Sequence, residues 1–319
     1  MLNDIKKLEA GKQQEVQIVI KSAENATTRN GDRYQKLIVR DNNDHEAIFF
    51  NFKEEIVGKF PFVVNATVDT SEYRESACSK IISYQIDKSA NVSDFLPAAK
   101  IDSDASIKIL ANKSRNLRMG LRKILASILN EHVKEFQYYP LNKAGCYSRT
   151  SGILEATIKL TEMAENAAES LGLDKDLMIA GAMLYYIGKT QTIDNSYNYT
   201  PDDVLLGTGL SATIIVHDTV DKLKKDEKIS PLINEQDVKL LMHILSSRFK
   251  GIPTAIPEAC ALRYLDAIVT EIESMKTIQA EEENESIVTD RRGFNGRIYC
   301  PGATSKTEPG SAAATENQK

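Results

Sequence analysis

The 319-residue sequence has no tryptophan, only four cysteines and only four histidines. Cys78, Cys146, Cys260 and Cys300 are far apart and form no Cys-x-x-Cys pair. This spacing indicates neither a zinc knuckle nor a disulfide framework, and we expect free thiols. The scarcity of histidine argues against a histidine-rich metal centre.

Long apolar runs and a strong positive charge are also missing. No apolar stretch approaches the roughly 18–20 residues that span a bilayer, and the polar N-terminus has no signal-peptide core. We therefore expect a cytoplasmic protein without membrane contact. The net charge of −5 does not draw the whole chain to nucleic acid, so such binding would need a local basic surface.

The first 95 residues contain the signals of short β-strands. Apolar and polar side chains alternate over residues 15–21, as in a half-buried strand. Asn30-Gly31 is a tight-turn dipeptide, and Pro61 suits only the start or the edge of a strand. Five strands are predicted, over residues 15–21, 33–40, 46–52, 60–68 and 80–86. Five short strands joined by turns predict an all-β, OB-like barrel over residues 1–95.

Barrels of this type commonly bind single-stranded nucleic acid through aromatic and basic side chains. Tyr34, Lys36 and Arg40 share one strand face because their spacing is even. The candidate binding residues of the barrel are Arg33, Tyr34, Lys36, Arg40, Phe49, Phe52, Tyr73 and Arg74. The alternative is that the aromatic residues fill the barrel and the basic ones are merely solvated.

Residues 96–143 are predicted to form a linker and one long basic helix, from about 104 to 136. Arg115, Arg118 and Arg122 stand at positions i, i+3 and i+7, so they would form one basic stripe on that helix. Such a stripe can follow a phosphate backbone. A solvated helix face explains the same pattern.

Residues 144–280 have helical periodicity throughout and predict an all-α domain. Residues 176–187 are apolar nearly all round, which is typical of a helix in the middle of a domain. Other helices are predicted from residue 150 to 171 and over 210–224, 235–249 and 257–276. Residues 281–319 begin with an acidic run and are predicted to be a largely disordered tail.

Several segments of the helical region carry a family resemblance. They are residues 151–157, 177–189, 199–200, 205–207, 243–246 and 257–266, with 296–301 near the end. In order and spacing, the chain resembles the bacterial OB-fold/HD-domain 3′–5′ exoribonucleases of the YhaM type. The resemblance implies an OB barrel followed by an HD-type helical domain and assembly into a homo-oligomer.

The chain departs from this family at the metal ligands. The positions that the resemblance assigns to histidine and aspartate hold Cys146, Tyr147, Ala156, Tyr185, Tyr186, Thr208, Ser247, Arg248 and Asp266. Only Asp266 is a ligand of the expected kind, because imidazole and carboxylate suit a divalent ion whereas tyrosine, threonine and alanine do not. The resemblance therefore implies a pocket without metal, cofactor or catalytic residue. Its remnants would be Tyr185, Tyr186, His243, Arg248 and Asp266.

Two smaller features of the sequence also contain residues capable of chemistry. His217-Asp218 is a literal His-Asp pair, but it lies in an amphipathic helix outside the buried one and is interpreted as a surface dipeptide. Ser246-Ser247-Arg248 is a candidate for binding a phosphate in the former metal pocket.

Three functional hypotheses follow. The first is a pseudo-nuclease that binds single-stranded RNA or DNA. The second is an enzyme, a residual metal-dependent exonuclease or phosphohydrolase that depends on Asp266. The third is a protein-interaction module that acts on an active relative.

Overall fold

The computed structural model describes residues 2–302, except 3, 29, 44, 59, 74–75, 144, 195–196, 250, 283 and 290–296. For residues 72, 73, 76, 77 and 281 it describes the backbone only. An N-terminal barrel is followed by a helical region and a short hairpin. No helix in the described residues has the length and apolar composition needed to cross a membrane.

The N-terminal barrel closes in the order β1-β2-β3-β5-β4. Its strands are β1 (Gln13–Thr27), β2 (Arg33–Arg40), β3 (Glu46–Asn51), β4 (Phe62–Tyr73) and β5 (Ser76–Ile86). β3 and β5 pair in parallel, and the other neighbours are antiparallel. The predicted five-stranded, OB-like barrel is confirmed. Its interior contains apolar side chains from alternate positions, including Ile18, Leu37 and Val64.

The helical region begins with three helices where one was predicted. These are α1 (Ser103–Ser114), α2 (Met119–Glu131) and α3 (Val133–Tyr138). The prediction of a single helix over 104–136 is therefore wrong. The chain leaves the helical conformation at Arg118. The backbone N–H and the guanidinium of this residue donate hydrogen bonds to aspartate carboxylates from later in the chain.

The remaining helices surround the predicted buried helix. They are α4 (Gly152–Leu171), α5 (Lys175–Leu184), α6 (Lys189–Thr192), α7 (Pro201–Leu205), α8 (Gly207–Lys224), α9 (Glu235–Ser246) and α10 (Pro257–Glu281). In α5, every side chain from Leu177 to Leu184 is buried, so it forms the centre of the helical core. Asp174 caps this helix by accepting a hydrogen bond from the Leu177 N–H.

The predicted tail is partly folded. β6 (Glu285–Thr289) and β7 (Arg297–Pro301) pair as an antiparallel hairpin. Ile298 and Cys300 of this hairpin pack against Ile278 of α10. The prediction of a largely disordered tail is wrong for these two strands, because alternate side chains supply an apolar face. Residues 303–319 lie outside the described part of the chain.

A separate apolar cluster joins the barrel to the helical region. Val19 and Val63 of the barrel contact Val92 and Phe95, which follow the barrel, and Tyr197 from the loop before α7. The ammonium of Lys143 also donates to the Phe60 carbonyl oxygen of the barrel, at 3.1 Å. The two parts therefore share a packed boundary.

Candidate nucleic-acid interface

The outer face of β2 carries three of the residues predicted to bind nucleic acid. Tyr34, Lys36 and Arg40 lie outside the barrel, while Leu37 and Val39 fill it. The shared face expected from their even spacing is therefore present. Arg33 is exposed at the start of the same strand.

Aromatic side chains from β3 and its end complete this face. The ring of Tyr34 stacks on that of Phe52, with centroids 5.2 Å apart and planes at 18°. Phe50 lies 6.0 Å from Tyr34, and Phe52 is 47% exposed. The Lys80 ammonium lies 5.4 Å from the centre of the Phe52 ring. Proteins that bind single-stranded nucleic acid commonly combine aromatic side chains with a positively charged surface.

One predicted binding residue lies on the wrong side of the strand. Phe49 is 2% exposed and packs inside the barrel beside Leu37, its partner across the sheet. Neighbouring strand residues face opposite ways, so burial of Phe49 places Phe50 outside. Phe49 pairs across the sheet with the inward-facing Leu37. The alternation of apolar side chains along the two strands could therefore have identified Phe50 as the outward-facing aromatic residue. Tyr73, as a side chain, and Arg74 lie outside the described residues.

Buried amides position the loop that carries Phe52. Gln35 donates to the Ile56 carbonyl oxygen at 3.1 Å and accepts from the Ile56 N–H at 2.7 Å. Asn51 donates to Gln35 at 3.1 Å and to the Glu54 carbonyl oxygen at 2.8 Å. These bonds hold the loop against β2 and so fix Phe52 beside Tyr34.

A cavity of about 460 Å³ opens next to the aromatic pair. Arg33, Tyr34 and Lys53 contribute to its wall, as does Glu55. The Lys53 ammonium is tethered by a 2.6 Å hydrogen bond to the Ile82 carbonyl oxygen.

The three arginines of the predicted stripe are not equivalent in the structure. Arg118 donates to Asp174 at 2.9 Å and to Asp237 at 3.0 Å, and Asp176 lies 3.8 Å away. Burial favours loss of the Arg118 charge, but the hydrogen bonds that Arg118 donates to Asp174 and Asp237 outweigh this effect and raise its pKa. Arg118 therefore links helices, and its charge is neutralised there.

The other two arginines lie outside this ion-pair network. Arg115 is exposed directly after α1, and Arg122 donates to the Arg115 carbonyl oxygen at 3.4 Å. Since α1 and α2 are separate, the three side chains do not form a stripe along one helix.

Four of the five predicted remnant residues do come together. The Tyr186 hydroxyl donates to Asp266 at 2.5 Å. Arg248 donates to the Tyr185 carbonyl oxygen at 3.1 Å, and its Nε lies 3.7 Å from Asp266. Its guanidinium carbon lies 4.9 and 4.8 Å from the ring centres of Tyr185 and Tyr186. Burial and the negative charge of Asp266 raise the pKa of both tyrosines, so both are neutral phenols.

This cluster does not fit a divalent metal ion. The carboxylate of Asp266 already accepts the Tyr186 hydroxyl and faces the Arg248 guanidinium, which supplies the positive charge. His243 lies elsewhere, where its Nε2 accepts from the Ala255 N–H at 2.9 Å. Phenol, guanidinium and a single carboxylate are not a ligand set for such an ion. His217 and Asp218 are both exposed.

A cluster of two aspartates and one histidine lies on the barrel. Ligand atoms of Asp4, Asp41 and His45 lie within 4.8 Å of one another. Asp41 is fully buried and accepts hydrogen bonds from the backbone N–H groups of Ile5, Asn43 and His45. These bonds give Asp41 a structural role, because they anchor the N-terminal segment and the β2–β3 turn.

Comparisons with known proteins assign neither a family nor a function. No protein-family model matches the chain. Among solved structures it is similar to the second OB-fold domain of replication protein A from Methanococcus maripaludis, known from solution NMR. The two are 11% identical, and the match covers 27% of this chain and 95% of that one with a TM-score of 0.23. Similarity this low carries no functional argument.

Proposed function

We propose that this protein binds single-stranded nucleic acid on the outer face of β2, β3 and β5. The observation that carries the proposal is the stacked pair Tyr34–Phe52, with the Lys80 ammonium near the Phe52 ring. Every base has a π-face, so stacked aromatic side chains accept bases regardless of sequence, at about 1–3 kcal/mol per base.

The register of the sheet supports a continuous strip. Lys36 lies opposite Phe50, and Phe50 lies opposite Lys80 on the next strand. Bases stacked on the aromatic rings would leave their phosphates within reach of these two lysines. Glu24 and Asp69 lie opposite Lys36 and Lys80 on the flanking strands, so the two lysines carry the positive charge of a strip with acidic edges.

The helical region supports a role without catalysis. We propose that it is a relic of an HD-type domain in which Tyr186 and Arg248 occupy the space of the former metal centre. A surviving metal-dependent hydrolase would need further ligands beside Asp266, and the cluster offers a phenol and a guanidinium instead.

The test is a titration of end-labelled single-stranded RNA and DNA, in EDTA and in manganese. Anisotropy would report binding, and gels of the same samples would report shortening. We expect binding without shortening. Contact with about three phosphates predicts a slope near −2 for the logarithm of the binding constant against that of the salt concentration.

A double variant locates the site. Tyr34→Ala with Phe52→Ala removes two stacking partners, and binding should weaken more than about tenfold. Tyr264→Ala, on an exposed tyrosine of α10, is the matched control and should bind normally. Equal binding by the double variant would refute the barrel site. Absence of all binding would favour a protein-interaction module, and manganese-dependent shortening would favour an enzyme.

A further inference from the structure

A second cavity, of about 440 Å³, lies in the helical region. It opens between the start of α6, the start of α8 and the end of α9. Its wall includes Asn142, Lys189, Thr208, Leu210, Arg248 and Phe249. Ligand pockets in proteins commonly have this volume and combine apolar walls with a few polar groups.

Lys189 brings a buried positive charge to this cavity. The residue is 8% exposed. The nearest carboxylate oxygen to its ammonium, on Asp203, is 3.6 Å away, beyond hydrogen-bonding distance. Asp203 is therefore an ion-pair neighbour of this ammonium, which also lies 5.4 Å from the centre of the Tyr199 ring. A buried ammonium whose nearest carboxylate lies beyond hydrogen-bonding distance is only partly compensated, so an added anion within hydrogen-bonding distance would stabilise it.

Arg248 adds a second cation to the same wall. Its Nε also stands 3.7 Å from its carboxylate neighbour, Asp266. Burial lowers the pKa of Lys189, and the positive charge of Arg248 lowers it further. Each cation has one carboxylate neighbour, and neither carboxylate is within hydrogen-bonding distance, so an anion in the cavity would add a closer partner for both.

The start of α8 also favours an anion in this cavity. This 18-residue helix begins at Gly207 and has no side-chain cap on its first turn, and Gly207 and Thr208 line the cavity. A Cβ on Gly188 would overlap the Thr208 carbonyl oxygen, so the glycine allows α6 to pack directly on α8. This contact places Lys189 beside the positive end of the helix dipole.

We propose that this cavity is a metal-independent binding site for a small phosphomonoester. Lys189, Arg248 and the first turn of α8 would hold the phosphate. Leu210 and Phe249 would contact a compact apolar body, since Phe249 is 69% exposed at the cavity wall. A phosphate dianion matches two cations and several N–H donors better than a carboxylate does.

The test is calorimetric titration of the full chain in EDTA with phenyl phosphate, inorganic phosphate and benzoate. We expect saturable binding of one phenyl phosphate per chain, weaker binding of inorganic phosphate and weaker still of benzoate. Lys189→Met should weaken phenyl phosphate binding at least about tenfold, as expected for loss of a charge-assisted hydrogen bond.

Three further variants separate binding from folding. Lys189→Arg keeps the charge and should retain binding within a few fold. Phe249→Ala should weaken phenyl phosphate but not inorganic phosphate. Lys222→Met, on an exposed lysine at the other end of α8, should change neither.

Several outcomes would overturn the site. They are no saturable binding by the unaltered protein, equal affinity for benzoate and phenyl phosphate, or normal binding by Lys189→Met. Oligonucleotides without a terminal phosphate should bind Lys189→Met normally. The proposed nucleic-acid site on the barrel is therefore tested independently of this cavity.

Discussion

Adjacent residues of one type can have opposite energetic roles, as Tyr185 and Tyr186 show. Both rings are buried, and they meet edge to face with centroids 5.7 Å apart. The Tyr186 hydroxyl donates to Asp266, whereas the Tyr185 hydroxyl has no hydrogen-bond partner among the described residues. The sequence predicted the positions of both residues in the pocket. It could not predict their difference, which depends on which ring reaches Asp266.

Removal of each hydroxyl should therefore have different effects. Tyr186→Phe leaves Asp266 short of a donor in a buried site and should lower the free energy of unfolding by about 1–3 kcal/mol. Tyr185→Phe removes a buried polar atom without a partner and should be neutral or slightly stabilising. Urea denaturation of both variants measures the difference. Equal destabilisation by the two would contradict this account of the cluster.

At the scale of elements, the apolar patterns predicted which faces of a strand or helix pack in the core. The alternation of β2 and the apolar run of α5 fixed which faces are buried, and both are confirmed. The prediction for residues 104–136 was wrong, because their apolar stripe continues through residues 115–118. The helix is interrupted there although this segment contains neither glycine nor proline. The break at Arg118 depends on Asp174, Asp176 and Asp237, which are distant in sequence. The local spacing of apolar residues cannot predict hydrogen bonds to residues so far away in the sequence.

Arg118→Met tests this linkage. It leaves three neighbouring carboxylates without their shared cation, and we expect a loss of about 1–2 kcal/mol, limited by the partial exposure of the side chain. Arg122→Met, in the same helix but outside the network, should be within about 0.5 kcal/mol of the unaltered protein. Urea denaturation at pH 7 checks both values.

The same linkage predicts how the stability difference depends on pH. Burial raises the pKa of Asp174, but the hydrogen bond from Arg118 outweighs it and holds that pKa below its usual 3.8. A carboxyl group with a lowered folded-state pKa stabilises the fold above its unfolded pKa and loses this effect as pH falls through the folded value. The advantage over Arg118→Met should thus be constant from pH 7 to about 5 and shrink below about pH 4. A constant difference down to pH 2 would contradict this role of Asp174.

At the scale of the whole molecule, the boundary between barrel and helices was the least predictable feature. Tyr197 lies in a polar loop, yet it is 4% exposed and donates to the Tyr138 carbonyl oxygen. It packs with Phe95 against Val19 and Val63 of the barrel. Neither the strand pattern nor the helix pattern involves this loop, so the sequence predicted no contact between it and the barrel.

Phe95→Ala should therefore affect both parts of the molecule. Phe95 is 3% exposed, and loss of a buried phenylalanine ring typically costs about 3–5 kcal/mol. We expect faster amide hydrogen exchange both in β1 around Val19 and in the loop at Tyr197. Phe136→Ala, which removes a fully buried ring within the helical core, should spare the barrel. If Phe95→Ala accelerated exchange on one side only, the boundary would not couple the two parts, and the nucleic-acid face could open independently of the helices.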